Sequence, residues 1–125
     1  MKLIERPQYL NFLIRNKDLP LIKVITGVRR SGKSTLFTLY KNYLTSSGVP
    51  EERIIAINFE DLAFEDLQEY HVLYRYILEQ LRPGGKNYIF LDEIQHVPQF
   101  EKAVDSLFIK DNVDLYITGS NAKLL

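Results

Sequence analysis

The chain has 125 residues, of which 46% are apolar and 26% are charged, and its formal net charge is zero. This length suits one domain, and the composition is that of a folded domain and not of a disordered chain. No cysteine is present, which excludes a disulfide scaffold, a thiol nucleophile and a cysteine-ligated metal site. We therefore expect residues 1–125 to form a single domain.

Membrane insertion and secretion find no support in the sequence. No apolar run approaches the ~20 residues needed to span a bilayer. The first residues, Met-Lys-Leu-Ile-Glu-Arg-Pro, lack the apolar core of a signal peptide. We expect a cytoplasmic protein without a membrane partner.

Charge is unevenly distributed along the chain. Residues 1–50 carry nine Lys/Arg and two Asp/Glu, whereas residues 51–125 carry seven Lys/Arg and fourteen Asp/Glu. A general nucleic-acid binder would be basic overall, so nucleic acid is not indicated as a partner. Two interpretations of the basic half stay open: it binds an anionic ligand, or it attracts the acidic half within the fold.

Four short apolar runs, set off by proline or glycine, predict β-strands. The runs are mostly continuous and do not alternate with polar residues, which is typical of strands buried on both faces of a parallel sheet. They cover residues 21–26, 54–59, 88–91 and 113–118.

Segments with apolar residues at helical spacing precede and separate these runs, and they predict amphipathic helices. The helical patterns lie near residues 6–16, 36–44, 67–81 and 100–108. Alternating helices and strands predict an α/β fold, a three-layer α/β/α parallel sheet with right-handed crossovers. The acidic stretch 60–66 is interpreted as a solvated loop between the second strand and the next helix.

Residues 27–34, Gly-Val-Arg-Arg-Ser-Gly-Lys-Ser, match G-x-x-x-x-G-K-[ST] at every defined position. The two glycines let the loop turn its amide N–H groups toward phosphate oxygens. Lys33 can reach the β- and γ-phosphates, and the Ser34 hydroxyl can bind Mg²⁺. The motif sits between a predicted strand and a predicted helix, so it indicates a nucleotide-binding P-loop. The predicted binding residues are Gly27, Val28, Arg29, Arg30, Ser31, Gly32, Lys33, Ser34 and Thr35.

Three of these positions have a second interpretation. Arg29 and Arg30 either contact phosphate or stay solvated, and solvation is favoured. Thr35 is interpreted more readily as a residue of the first helical turn than as a ligand.

The third apolar run ends in Asp92-Glu93. Asp92 would hold Mg²⁺ through its water shell, and Glu93 would polarise the attacking water as a general base. Ligands of open α/β sheets lie beyond the carboxyl ends of the strands, so Asp92 and the P-loop can converge there. Without the P-loop, such an acidic pair would be interpreted as a solvated turn.

Three segments together resemble the AAA+ ATPases: residues 27–35, Asp92-Glu-Ile-Gln95 and Ile117-Thr-Gly-Ser-Asn121. More narrowly, they are similar to a prokaryotic family of AAA-type ATPases, longer proteins that end in a second domain. The resemblance covers essentially the whole chain. It implies ATP and Mg²⁺ as cofactors, and hydrolysis that depends on Lys33 and Glu93.

The resemblance also implies roles for polar residues at two other strand ends. Thr118, Ser120 and Asn121 are candidates for sensor 1, which contacts the γ-phosphate or the attacking water, and Ser120 is favoured. Asn58 matches a residue that restrains the catalytic glutamate. The alternatives stay open: the first group is a strand-terminating turn, and Asn58 begins a turn.

The chain departs from the AAA+ pattern after Leu125, where the family continues with a fifth strand, an arginine finger and a helical lid. We expect a partial AAA+ domain whose partners are ATP and the lid and second domain of a longer protein. Association with further copies of itself stays open. In the family's strand order, 5-1-4-3-2, the first strand of this chain would lie at a sheet edge. An arginine finger contributes about 10³–10⁵ in rate, so low turnover is expected.

Two other functions stay open. A small-molecule kinase also uses a P-loop, but it needs an acceptor pocket and an arginine-bearing lid segment, and no such segment is recognised. A nucleotide-dependent interaction module would bind ATP without hydrolysing it.

Overall fold

Helices and parallel strands alternate along the chain. The computed structural model describes residues 6–26 and 31–120. Within them the helices are α1 (Arg6–Arg15), α2 (Ser31–Ser46), α3 (Tyr70–Gln80) and α4 (Phe100–Phe108). The strands are β1 (Lys23–Thr26), β2 (Ile54–Asn58), β3 (Asn87–Asp92) and β4 (Val113–Gly119). The predicted α/β fold is confirmed.

The four strands form one all-parallel sheet in the order β1-β4-β3-β2. Within the described residues β1 is therefore an edge strand, as the resemblance implied. The register pairs Thr26 with Gly119 and Asn58 with Asp92, so the carboxyl ends of the strands lie at the same edge of the sheet. Neighbouring strands are about 4.8 Å apart, which brings the ends of β1 and β3 to opposite sides of β4.

Helices cover both faces of the sheet. The helices α1 and α2 pack on one face, where Leu13, Leu36 and Tyr40 join one buried cluster. On the other face, residues of α3 and α4 belong to a second cluster. Every residue of β3 and β4 is buried, which explains why their sequences are mostly apolar.

The helix predicted over residues 67–81 is shorter in the structure. It begins at Tyr70, because the Glu69 carboxylate caps it by accepting a hydrogen bond from the His71 N–H. Leu67 belongs instead to a 3₁₀ segment, Leu62–Leu67. Apolar spacing continues through the break, so periodicity alone does not show it. Residues 60–66 are mostly exposed, as expected for a solvated connection.

A buried ion pair joins the amino-terminal parts of β1 and β4. Lys23 Nζ lies 2.5 Å from Asp114 Oδ1, and each residue is only 2% exposed. Asp114 Oδ2 accepts hydrogen bonds from Tyr116 OH at 2.7 Å and from the Asp18 N–H at 2.9 Å. The pair is a direct attraction between the basic first half and the acidic second half of the chain.

The tyrosines around this ion pair have raised pKa values. Burial, followed by the negative charge of Asp114, raises the pKa of Tyr116. Burial and the hydrogen bond to Asp18 raise the pKa of Tyr88 to about 12. The hydroxyl groups therefore stay protonated near neutral pH and act as hydrogen-bond donors to the carboxylates.

Candidate active site

The third strand ends in two acidic residues that are almost fully buried. Asp92 is 5% exposed and Glu93 is 4% exposed. Glu93 adopts the left-handed conformation, with φ 58° and ψ 50°, and turns the chain into a 3₁₀ segment, Ile94–His96. Left-handed backbone is uncommon outside glycine and is enriched at functional sites. The turn places a second carboxylate directly after the one that ends the strand.

Thr118, on the neighbouring strand β4, holds both acidic residues. Its Oγ1 donates a hydrogen bond to Asp92 Oδ1 and accepts one from the Glu93 N–H at 2.9 Å. The side chain is completely buried. A single hydroxyl thus orients the Asp92 carboxylate and fixes the turn at Glu93, as residues behind a metal ligand commonly do. Thr118, one of the three sensor candidates, is thus bound to Asp92.

Within residues 6–26 and 31–120, two side chains donate hydrogen bonds to the Glu93 carboxylate. Ser120 Oγ lies 2.8 Å from Oε1 and 2.9 Å from Oε2. Gln95 Nε2 donates to Oε1 at 2.7 Å. Ser120, the favoured sensor candidate, is therefore placed against the candidate base. Gln95 had no assigned role in the sequence, although it closes the Asp92–Gln95 segment that carries part of the family resemblance.

Asn58 ends β2 and pairs in register with Asp92. Its Oδ1 accepts a hydrogen bond from the Glu60 N–H at 3.0 Å, which stabilises the turn after the strand. This is the local role that the sequence left open for Asn58. Restraint of Glu93 by Asn58 stays a prediction.

The P-loop motif occupies the connection from β1 to α2. The strand ends at Thr26 and the helix begins at Ser31, so the helix starts at the carboxyl edge of the sheet, as a P-loop requires. Thr35 follows in the first turns of the helix and is partly buried. Five of the predicted residues lie outside the described residues: Gly27, Val28, Arg29, Arg30 and Asn121. The same holds for the side chains of Ser31, Lys33 and Ser34. Gly32 is within the helix.

A cleft of about 200 Å³ opens between α2 and β2, beside Asp92. Its wall combines aromatic rings with one cation and polar groups. The lining residues include Phe37, Thr38, Lys41, Asn58, Phe64, Phe90 and Asp92.

Comparison with known proteins identifies the family. The model of a family described as "AAA domain" matches residues 20–125. The chain belongs to this AAA-type P-loop ATPase family. The match includes the P-loop motif, the acidic pair at the end of β3 and the polar end of β4, which are the three segments that carry the resemblance. Membership indicates nucleotide-dependent activity, and the family typically uses ATP and Mg²⁺.

Two relatives of this AAA domain are named only as uncharacterised proteins. One, from Haemophilus influenzae, is 42% identical over 124 residues, which are 98% of this chain and 31% of that protein. The other, from Methanocaldococcus jannaschii, is 36% identical over 121 residues, which are 90% of this chain and 23% of that protein. The chain thus spans less than a third of the length of these relatives.

The helices that the structure describes in the AAA domain lack the features of a membrane span. Within residues 6–26 and 31–120, no helix is both long enough and apolar enough to cross a bilayer.

Proposed function

We propose that this AAA domain binds Mg·ATP and hydrolyses it in the cytoplasm, as the nucleotide-dependent core of a longer protein. The observation that carries the proposal is the buried Asp92–Glu93 turn, pinned by Thr118 at the sheet edge where the β1–α2 connection also lies. In parallel α/β sheets, this edge is where ligands bind.

The residues of this edge fit a triphosphate with a bound magnesium ion. Amide groups from Gly27 to Ser34 would surround the phosphate oxygens, and Lys33 would contact the β- and γ-phosphates. The Ser34 hydroxyl and the Asp92 carboxylate supply oxygen donors of the kind that Mg²⁺ prefers. When bound, Mg²⁺ would neutralise charge that develops on the phosphate.

Glu93 is the proposed general base. The residue is almost fully buried, and its carboxylate is held by the Ser120 hydroxyl, so its position is defined. A carboxylate in this position would accept a proton from the attacking water. Ser120, beside it, would contact the same water or the γ-phosphate.

The longer protein that contains this domain would couple nucleotide binding to an attached domain or to further copies of the chain. The relatives, of which this chain matches less than a third, support a role as one part of a larger machine. The client of that machine is a matter for experiment on the longer protein.

Calorimetric titration of the purified protein with ATP, ADP and GTP in the presence of Mg²⁺ tests the proposed binding. Lys33→Ala removes the proposed phosphate contact, and we expect ATP affinity to fall about tenfold or more, which corresponds to about 1.4 kcal/mol. Lys86→Ala removes the same charge before the amino end of β3 and is the matched control. Equal ATP affinity in both variants would contradict the assignment of the P-loop.

The cleft beside Asp92 favours phosphoryl transfer to a small molecule as the second candidate function. It offers a cation, Lys41, and the Asn58 amide next to the proposed magnesium ligand. A panel of hydroxyl and phosphate acceptors, incubated with ATP, separates the two functions. A kinase would form phosphorylated acceptor, whereas an ATPase would release inorganic phosphate with no dependence on the acceptor.

A further inference from the structure

Gln95 lies directly beside the proposed general base and takes no part in the function as proposed so far. Its Nε2 donates a hydrogen bond to Glu93 Oε1 at 2.7 Å. Ser120 donates to the same oxygen from the end of β4 at 2.8 Å. One carboxylate oxygen is thus held from two sides, by a residue of its own turn and by a residue of the neighbouring strand.

The backbone of the turn presents Gln95 to Glu93. The left-handed conformation at Glu93 reverses the chain, and the following 3₁₀ segment is closed by a hydrogen bond from the Val97 N–H to the Ile94 carbonyl at 2.9 Å. Ile94 and Val97 are buried in the core cluster beneath α3 and α4. Because core packing fixes the residues on either side, the direction of the Gln95 side chain is set by the fold.

The oxygen of the Gln95 amide is buried at a cost in folding free energy. The Oε1 atom is buried and meets no donor among the residues that the structure describes. Leaving a buried acceptor without a donor is unfavourable. A methionine of similar length would fill the same space without that cost, so the contribution of the amide lies in its N–H bond to Glu93.

We propose that Gln95 is a positioning residue for the general base: its N–H group holds the Glu93 carboxylate in the place from which it activates water. The proposal rests on the ATPase function proposed above. It assigns to Gln95 a role in restraining Glu93 that family resemblance had given to Asn58, whose amide oxygen is bonded in the turn after β2. A base displaced by about 1 Å loses about 10²-fold in rate, and removal of a residue that orients a catalytic group commonly costs about 10–100-fold.

Gln95→Met tests the proposal because it keeps the length of the side chain and removes the N–H donor. We expect the single-turnover rate of hydrolysis at saturating ATP to fall about tenfold. The half-saturating ATP concentration should stay within about twofold of wild type, because the proposed role of Gln95 lies in the chemical step and not in nucleotide binding. His96→Ala, one residue along the same turn and exposed, is the matched control. Thermal unfolding of each variant checks that the domain stays folded.

Gln95→Glu is the second variant. It keeps the shape of the side chain but replaces the donor with a like charge beside Glu93, so the rate should fall at least as far as in Gln95→Met. If Gln95 merely packed, Gln95→Met would be tolerated. The proposal would be overturned if Gln95→Met and Gln95→Glu both hydrolysed ATP as fast as His96→Ala. Glu93→Gln in the same series separates the two failures. If the wild-type protein hydrolyses no ATP, the proposed function fails; if Glu93→Gln keeps the wild-type rate, the assignment of Glu93 as the base fails and the role of Gln95 fails with it. If Glu93→Gln stops hydrolysis while both Gln95 variants stay active, only the role of Gln95 fails.

Discussion

Asp114→Ala is expected to destabilise the domain by about 3–5 kcal/mol, the usual cost of removing one partner from a buried ion pair. The substitution leaves the Lys23 ammonium, 2.5 Å from Asp114 in the native protein, buried without its counter-charge. It also removes the acceptor for the Tyr116 hydroxyl and the Asp18 N–H. A loss of this size is a large part of the roughly 5–15 kcal/mol that holds a domain together.

Urea unfolding followed by circular dichroism measures this loss. Asp111→Ala, an exposed position just before β4, is the matched control and should change the free energy of unfolding by less than about 0.5 kcal/mol. Adding Lys23→Met to Asp114→Ala removes the unpaired charge and should restore part of the lost stability. Equal stability of Asp114→Ala and Asp111→Ala would show that the ion pair contributes nothing to the fold.

Glu93→Gln is expected to slow hydrolysis of bound ATP about 10²-fold or more, the range that a general base commonly contributes. Glutamine keeps the size of the side chain and an acceptor oxygen for Ser120 and Gln95, so the turn should keep its shape. It cannot accept a proton from water at neutral pH. ATP affinity should therefore stay within about threefold of wild type, because an effect confined to the chemical step leaves ground-state binding in place.

Single-turnover experiments with protein in excess over ATP measure this step even when steady-state turnover is low. Glu101→Gln, an exposed position in the first turn of α4, removes the same charge away from the site. A Glu93→Gln protein that hydrolyses ATP as fast as Glu101→Gln would assign the base to another residue.

The architecture could be predicted from the sequence because its signals are local or periodic. The two central strands are buried on both faces, so most of their residues are apolar, and glycine or proline lies near one end of each run. The P-loop motif has fixed spacing, and its position between β1 and α2 follows from the order of elements. The parallel register then brings the end of β3 to the same edge without further information.

The contacts within the candidate site could not be predicted in the same way. The pairing of Gln95 with Glu93 depends on the positive φ at Glu93, which a non-glycine residue rarely adopts and which no local pattern signals. The two hydrogen bonds of Thr118 depend on the register between β3 and β4. The sequence marked Thr118 as one of three polar candidates at this strand end and favoured Ser120.

The buried ion pair is a second example of information that local patterns do not contain. Asp114 stands inside an apolar run, and its partner Lys23 lies 91 positions earlier in the chain. Only the adjacency of β1 and β4, which are the first and last strands of the sequence, brings the two charges together. The uneven charge of the two halves left such an attraction as one of two interpretations and did not identify the residues.

The dependence of ATP binding on Mg²⁺ in Asp92→Asn tests most directly whether the P-loop and the acidic turn act on one phosphate group. Asparagine keeps an oxygen that can accept the Thr118 hydrogen bond, and Asp105→Asn on the exposed side of α4 is the control. We expect Mg²⁺ to raise ATP affinity about 10-fold or more in the control and far less in Asp92→Asn. When Mg²⁺ is chelated, the two variants should bind ATP with equal affinity. The same Mg²⁺-dependent gain in ATP affinity in both variants would contradict the assignment of the P-loop and the acidic turn to one phosphate group.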